Sequence, residues 1–171
     1  MDAKIKYRED KDFIYLSVTS DGMTGEDWVN LFKISGRIID DNLKHVLLSS
    51  GFKPTSGVTT EIAVFKGRVF VGGTQTAKNI REEAEVKKLF VPNPEVACLA
   101  LVNLPDQALE DLGLDQIIIF HEPIKDSEGD LVLLGISSAR GEPRLCMYFG
   151  GSDHVYRSCG GIAFASSQTG L

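Results

Sequence analysis

The sequence predicts a single α+β domain with a mixed, mainly antiparallel sheet, an N-terminal helical hairpin, one long helix and a C-terminal β-meander. Two patterns and one bound carry this expectation. Before residue 90, apolar side chains recur at i, i+3, i+4 spacing, as helices packing one face require. From Gln116 onward the pattern changes to β-branched and aromatic runs separated by Gly, Asp and Ser clusters, the mark of strands joined by tight turns. The chain has 171 residues, 43% hydrophobic and 25% charged, and no internal repeat, low-complexity tract or linker divides it. Residues 1–171 are therefore read as one globular unit able to bury a single core.

Residues 1–11 are mostly charged and are expected to fray. Asp12 to Val18 reads as a strand, ended by Ser20-Asp21-Gly22. Thr24-Gly25-Glu26-Asp27 has the form of a capping box, and Trp28, Leu31 and Phe32 follow on one stripe, so a helix is placed near 25–35 with Gly36 as its C-terminal cap. Asp40 or Asp41 starts a second helix, to about residue 50, with Leu43, Val46 and Leu47 inward. Gly51 and Phe52 stand where a Schellman motif would pack Phe52 on Leu47.

Val58 to Phe65, the pair Lys66-Gly67, and Arg68 to Val71 read as a short hairpin. The long helix is expected over 75–90, with Ala77, Ile80 and Ala84 inward, stopped by Pro92-Asn93-Pro94. The apolar run Val96 to Val102 is assigned to a strand and Pro105 to Leu112 to a short helix, capped by Gly113 with Leu114 folding back on Leu109. A connection of that length permits one right-handed parallel crossover to the strand at Gln116. The meander follows through Leu131–Ile136 and Leu145–Phe149, then a Gly-rich segment and a last strand at Ile162–Ser166. Trp28, Leu31, Phe32, Leu47, Ile80, Ile118, Phe120 and Leu133 are the expected core.

Charge and cysteine content narrow the function classes. The net charge is −6, and it is uneven: residues 1–90 hold 14 Lys and Arg against 13 Asp and Glu, whereas residues 91–171 hold 4 against 11. An acidic strand-rich half repels phosphate backbones and anionic lipid heads and attracts basic surfaces. A helix-turn-helix made of the first two helices would start its recognition helix with Asp40 and Asp41, so nucleic acid is excluded as a partner. No apolar run reaches the length of a membrane span, and no membrane partner is expected. Cys98, Cys146 and Cys159 are an odd number without a CxxC pair, which points to a reducing cytoplasm and away from a disulfide framework or structural zinc.

Three segments gather chemistry-bearing residues. Asp126, Glu128 and Asp130, beside His121 and Glu122, place hard oxygens around one turn, but the glycine falls at the fourth position and Ser137 stands where a calcium loop has its bidentate Glu. A hairpin turn built of turn formers explains them. His121 and Glu122 would point to opposite faces of a continuing strand, which separates them as an acid/base pair unless Pro123 distorts the strand end. Asp153 to Gly161 brings Cys159 and His154 into one glycine-bounded loop, where a thiolate nucleophile would need a base or cation. Gly72-Gly73-Thr74 precedes a helix in the manner of an anion-binding turn, without P-loop or G-x-G-x-x-G spacing.

None of these sets is assigned as a catalytic, cofactor or metal site, and no cofactor is expected. The favoured reading is a small acidic, non-enzymatic interaction domain that binds a protein partner or itself. Self-association is tied to Leu131-Val132-Leu133-Leu134, an unprotected apolar run that would invite pairing if it formed a sheet edge. The alternative is a thiol-dependent hydrolase or transferase using Cys159 with His154 or His121. Neutralising Asp126 and Glu128 is expected to leave folding nearly unchanged.

Overall fold

Local signals at helix starts and strand ends build the frame, which a computed structural model describes for residues 7–66, 75–138, 141–156 and 160–170. In chain order the elements are β1 (Tyr7–Glu9), β2 (Phe13–Asp21), α1 (Gly25–Ile34), α2 (Asp41–Leu48), β3 (Ser56–Phe65), α3 (Ala77–Val86), α4 (Glu95–Asn103), α5 (Ala108–Asp111), β4 (Gln116–Ile119), β5 (Ile124–Lys125), β6 (Leu131–Ser137), β7 (Arg144–Phe149) and β8 (Gly161–Thr169). The mixed α+β class is as expected. Thr24 and Asp27 form the capping box of α1, and the Asp40 side chain caps α2.

All eight strands of the described residues belong to one sheet. Its hydrogen-bonded order begins β1-β2-β3-β8-β4-β6, and β5 and β7 both pair with β6. Val132 pairs with Ile124 of β5 and with Phe149 of β7, while Gly135 pairs with Ile118 of β4 and with Cys146 of β7. Strands β4 and β5 thus lie end to end along one edge of β6, and β7 covers the other edge and forms the margin of the sheet. Pairing is antiparallel except for β4 with β8.

The alternation of side chains sends Ile117 and Ile119 to one face and Ile118 and Phe120 to the other. The first face carries the larger core, with Trp28 and Phe32 of α1, Val46 and Leu47 of α2, α4 and Leu109 of α5. The second is covered by α3 through Ala77, Ile80 and Ala84. Rings run across this second face in contact from Phe13 to Phe65, Phe164, Phe120 and Tyr156. The expected core residues are buried, with Leu31 only partly so. Gly25 starts α1 against the end of α2: a Cβ there would sit 1.8 Å from the Leu47 carbonyl oxygen.

Several expectations are corrected. Val96 to Val102 is not a strand but lies within α4, whose residues Glu95 to Leu101 are all buried. A continuous apolar run fits a helix buried all round as well as a central strand, and Ala97, Leu99, Ala100 and Leu101 favour the helix. The parallel crossover from 96 to 116 disappears with it; the parallel pair instead joins β4 to β8. The helix expected over 75–90 spans Ala77–Val86, ten residues like α1, because Lys88 takes a left-handed φ of 58° and Leu89 N–H returns to the Ala84 carbonyl. Ser49, extended rather than helical, ends α2, so Phe52 is buried without a Schellman motif at Gly51.

Tyr7–Glu9 does not fray but pairs with β2. Both edges of β3 are taken by β2 and β8, and its expected hairpin partner, Arg68 to Val71, lies outside the described residues. Strand β6 is interior, which removes Leu131–Leu134 as the self-pairing edge.

Candidate functional site

His121 illustrates how the sheet uses a polar residue. Between Ile118–Gly135 and Ile124–Val132 the β4–β5 side advances six residues while β6 advances three, so three extra residues bulge from the ladder. The His121 ring fills the break. Its Nε2 accepts the Leu134 N–H at 2.7 Å, and Nδ1 lies 2.7 Å from the Glu122 carbonyl oxygen. Accepting at Nε2 and donating from Nδ1 define one neutral tautomer. Burial pushes the imidazole down to about 4, and Arg81, whose guanidinium donates to the His121 carbonyl at 2.9 Å, adds to the depression. Both ring nitrogens are engaged, and the ring is fully buried. Because β4 ends at Ile119, His121 and Glu122 do not continue the strand whose alternation would have sent them to opposite faces.

His154 lies elsewhere, in the turn after β7, with its ring 5.7 Å from Phe149 and 4.7 Å from Tyr156. The turn is tied to the start of α3: the amides of Ala77 and Lys78 donate to the carbonyls of His154 and Ser152. Cys159, the thiol proposed to act with it, and the anion candidates Gly72, Gly73 and Thr74 lie outside the described residues. Burial holds the thiols of Cys98 and Cys146 above the ordinary range.

The acidic hairpin is organised by one carboxylate. Asp126 Oδ1 accepts the amides of Glu128 and Asp130, both at 2.9 Å, and Oδ2 accepts from Asn42 Nδ2 of α2 at 3.1 Å. Asn42, foremost, and these amides hold the Asp126 carboxyl below the usual carboxylate range. Glu128 and Asp130 are exposed. Among the described residues, no cluster of three or more His, Cys, Asp or Glu is arranged to hold a metal ion.

The buried carboxyl is one that sequence does not single out. Glu95, 4% exposed in the first turn of α4, receives the Thr55 amide at 2.9 Å and the Thr55 hydroxyl. Its partner Thr55 is forty residues away, so only the position of a Glu just ahead of an apolar run could have signalled it. A cleft of about 470 Å³ beside this network is bounded by Lys53, Pro94, Glu122 and Pro123.

The margin of the sheet is the remaining feature with a defined chemistry. Gly150 N–H donates to Leu131 O across β7 and β6, so the even-numbered groups of β7 face β6 and those of Leu145, Met147 and Phe149 face outward. Two acceptors at the ends are capped: Pro143 O by Arg37 Nη1 and Phe149 O by Tyr156 Oη, each at 2.5 Å. Between these caps no strand pairs with β7 on its outer side among the described residues. Phe149 is 60% exposed, and Leu131 and Val155 nearby are 43% and 55% exposed. The opposite margin differs: β1 is three residues long and carries the ion pairs Arg8–Glu61 and Lys66–Glu9.

No helix among the described residues is long and apolar enough to cross a membrane. Comparison with family models, curated proteins and solved structures finds no match.

Proposed function

We propose that the chain is a non-enzymatic interaction domain of the cytoplasm, and that it engages a protein through the β7 margin of its sheet. The observation that carries this reading is an edge strand, Arg-Leu-Cys-Met-Tyr-Phe, with backbone donors aimed outward and an exposed Phe149 at its end. Edge strands are usually blunted by charge, proline or brevity, and after Arg144 at its start β7 has none of these. An incoming extended segment would gain main-chain hydrogen bonds from the edge and apolar contact from Phe149. The free thiols of Cys98 and Cys146 are compatible with a reducing compartment.

Affinity capture comparing the wild-type chain with Phe149→Lys and with the remote Glu128→Gln tests the assignment. Partners lost only with Phe149→Lys support it; a capture set that ignores that substitution overturns it. Thiol labelling tests its non-enzymatic half. Sluggish reaction of all three thiols is expected, and a hyper-reactive Cys159 near neutrality would favour a thiol enzyme instead.

A further inference from the structure

We infer that the occupant of the β7 edge is the β7 edge of a second copy of this chain, paired antiparallel about a two-fold axis at Met147. This rests on the proposed role of the edge and names its partner. The outward groups select the register. With Met147 opposite Met147 of the other copy, Leu145 faces Phe149, and each outward amide of Leu145, Met147 and Phe149 meets an outward carbonyl. Three such amides in each of two copies give six backbone hydrogen bonds. The Phe149 carbonyl, already capped by Tyr156, uses its second lone pair. A shift of the axis to Cys146 places Leu145 opposite Met147 and brings the Phe149 amide to Pro143, whose carbonyl is capped by Arg37 and whose nitrogen has no hydrogen. The Met147 register therefore uses the edge most fully.

Side chains and charge agree with a like partner. Leu145 and Met147 project to the face of the larger core. Phe149, two residues further along β7, follows on the same face and would pack its exposed ring over Leu145 of the other copy. The margin carries both signs, Arg37 and Arg144 beside Asp40, Glu142 and Asp153, although the chain carries −6 overall. A two-fold contact of this kind is isologous and closes on itself, joining two sheets into one without propagating into a fibre.

Sedimentation of the full chain at micromolar concentrations, with Met147→Pro and Phe149→Lys beside the wild type, tests the pairing. Met147→Pro removes an outward N–H and leaves the β6 ladder intact, and Phe149→Lys places a charge on the edge, so melting curves should show both variants folded. The wild type is expected as a species of twice 18.7 kDa and both variants at 18.7 kDa. Because two −6 bodies repel, the dimer should tighten as salt rises; weakening with salt would signal attraction of opposite charges and overturn the register. A bis-maleimide should link Met147→Cys across the axis in a Cys146→Ser, Cys159→Ser background. A dimer that survives both edge substitutions, or a wild type that stays monomeric, overturns self-pairing. If that monomer still captures another protein in a Phe149-dependent way, the edge reading stands and only its occupant is wrong; without such capture both fail.

Discussion

Thr55 donates its backbone amide to the carboxyl of Glu95 and sets its hydroxyl against the other carboxyl oxygen, joining the loop before β3 to the first turn of α4. The same hydroxyl lies 2.8 Å from Ser20 Oγ, which in turn lies 3.3 Å from the Val58 carbonyl and accepts the Val58 amide at 3.0 Å. When Glu95 carries a proton, the chain is complete: the acid donates to Thr55 Oγ1, Thr55 to Ser20 and Ser20 to the Val58 carbonyl. Without that proton, Thr55 gives its only hydrogen to the carboxylate, and one contact further along is left without a donor. Burial, aided by the nearby charge of Asp21, raises the Glu95 carboxyl above its ordinary range even though the Thr55 hydrogen bonds oppose the shift.

Glu95→Gln should consequently preserve the fold, because its amide donates to Thr55 Oγ1 and its carbonyl accepts the Thr55 amide. The folded-state pKa is raised, so the stabilisation from Glu95 is full below the ordinary carboxyl range and is lost as pH rises through the raised value. The glutamine variant should match or exceed the wild type at neutral pH and lose that pH dependence. Glu95→Ala should cost about 1–3 kcal/mol by stranding the Thr55 donors. Denaturant melts across pH measure both; a glutamine variant less stable than the wild type at neutral pH would contradict the protonated-acid account.

His121 titrates in the opposite sense. Its pKa falls from an ordinary 6.5 to about 4, so its stabilisation is complete above 6.5 and is lost as pH falls through about 4. That difference corresponds to about 3 kcal/mol between the two ends of the window. His121→Ala should destabilise the neutral protein, since the buried Leu134 amide loses its acceptor, and should flatten the decline between pH 6.5 and 4. Unfolding followed by the Leu134 amide in hydrogen exchange checks it; an unchanged acid limb in the variant would show that other groups set it.

How far the sequence reaches is visible in these residues. The capping box at Thr24 and Asp27 and the cap at Asp40 were legible because each is a local contest for helix N–H groups. Gly113 with Leu114 was legible for the same reason: Leu114 N–H returns to Leu109 O at 2.8 Å. Val96 to Val102 was misassigned because burial on every side erases the period that separates strand from helix. Ser20, Thr55 and Glu95 meet only in space, and alternation sets His121 and Glu122 on opposite faces only as long as the strand runs straight. The open edge was sought at Leu131–Leu134, since pairing partners, unlike caps, are set by topology.

Lys88 is the one described non-glycine residue with positive φ, at 58°, and it stands where α3 turns out of its last turn. A side chain in that conformation costs roughly 1–2 kcal/mol that glycine avoids. Lys88→Gly, at an exposed position, should stabilise the protein by about 1 kcal/mol after the added flexibility of the unfolded chain is counted. Lys88→Ala should be close to neutral. Thermal unfolding of the pair decides it, and equal melting temperatures would mean that the turn relaxes to negative φ in solution.

The acidic hairpin yields the sharpest separation between neighbouring carboxylates. Sequence alone treats Asp126 and Glu128 alike, as charges whose removal would leave folding nearly unchanged. Their surroundings differ. Asp126 closes the turn on the amides of Glu128 and Asp130 and ties it to Asn42, whose Oδ1 also accepts from the Ser127 amide and hydroxyl at 2.9 and 2.8 Å. Glu128 is exposed and supplies only its backbone amide to this arrangement. Asp126→Ala should lower the melting temperature by several degrees and loosen the attachment of the hairpin to α2, whereas Glu128→Gln should leave it unchanged or raise it slightly as like-charge repulsion falls. Because the Asp126 pKa is lowered in the folded state, its stabilisation is present above the ordinary carboxyl range and is lost as pH falls through the lowered value. The gap between wild type and Asp126→Ala should therefore narrow in acid. Chelator and millimolar calcium should move neither melting curve. A rise of several degrees with calcium in the wild type, absent from Asp126→Ala and Glu128→Gln alike, would instead make the turn a cation site through binding linkage.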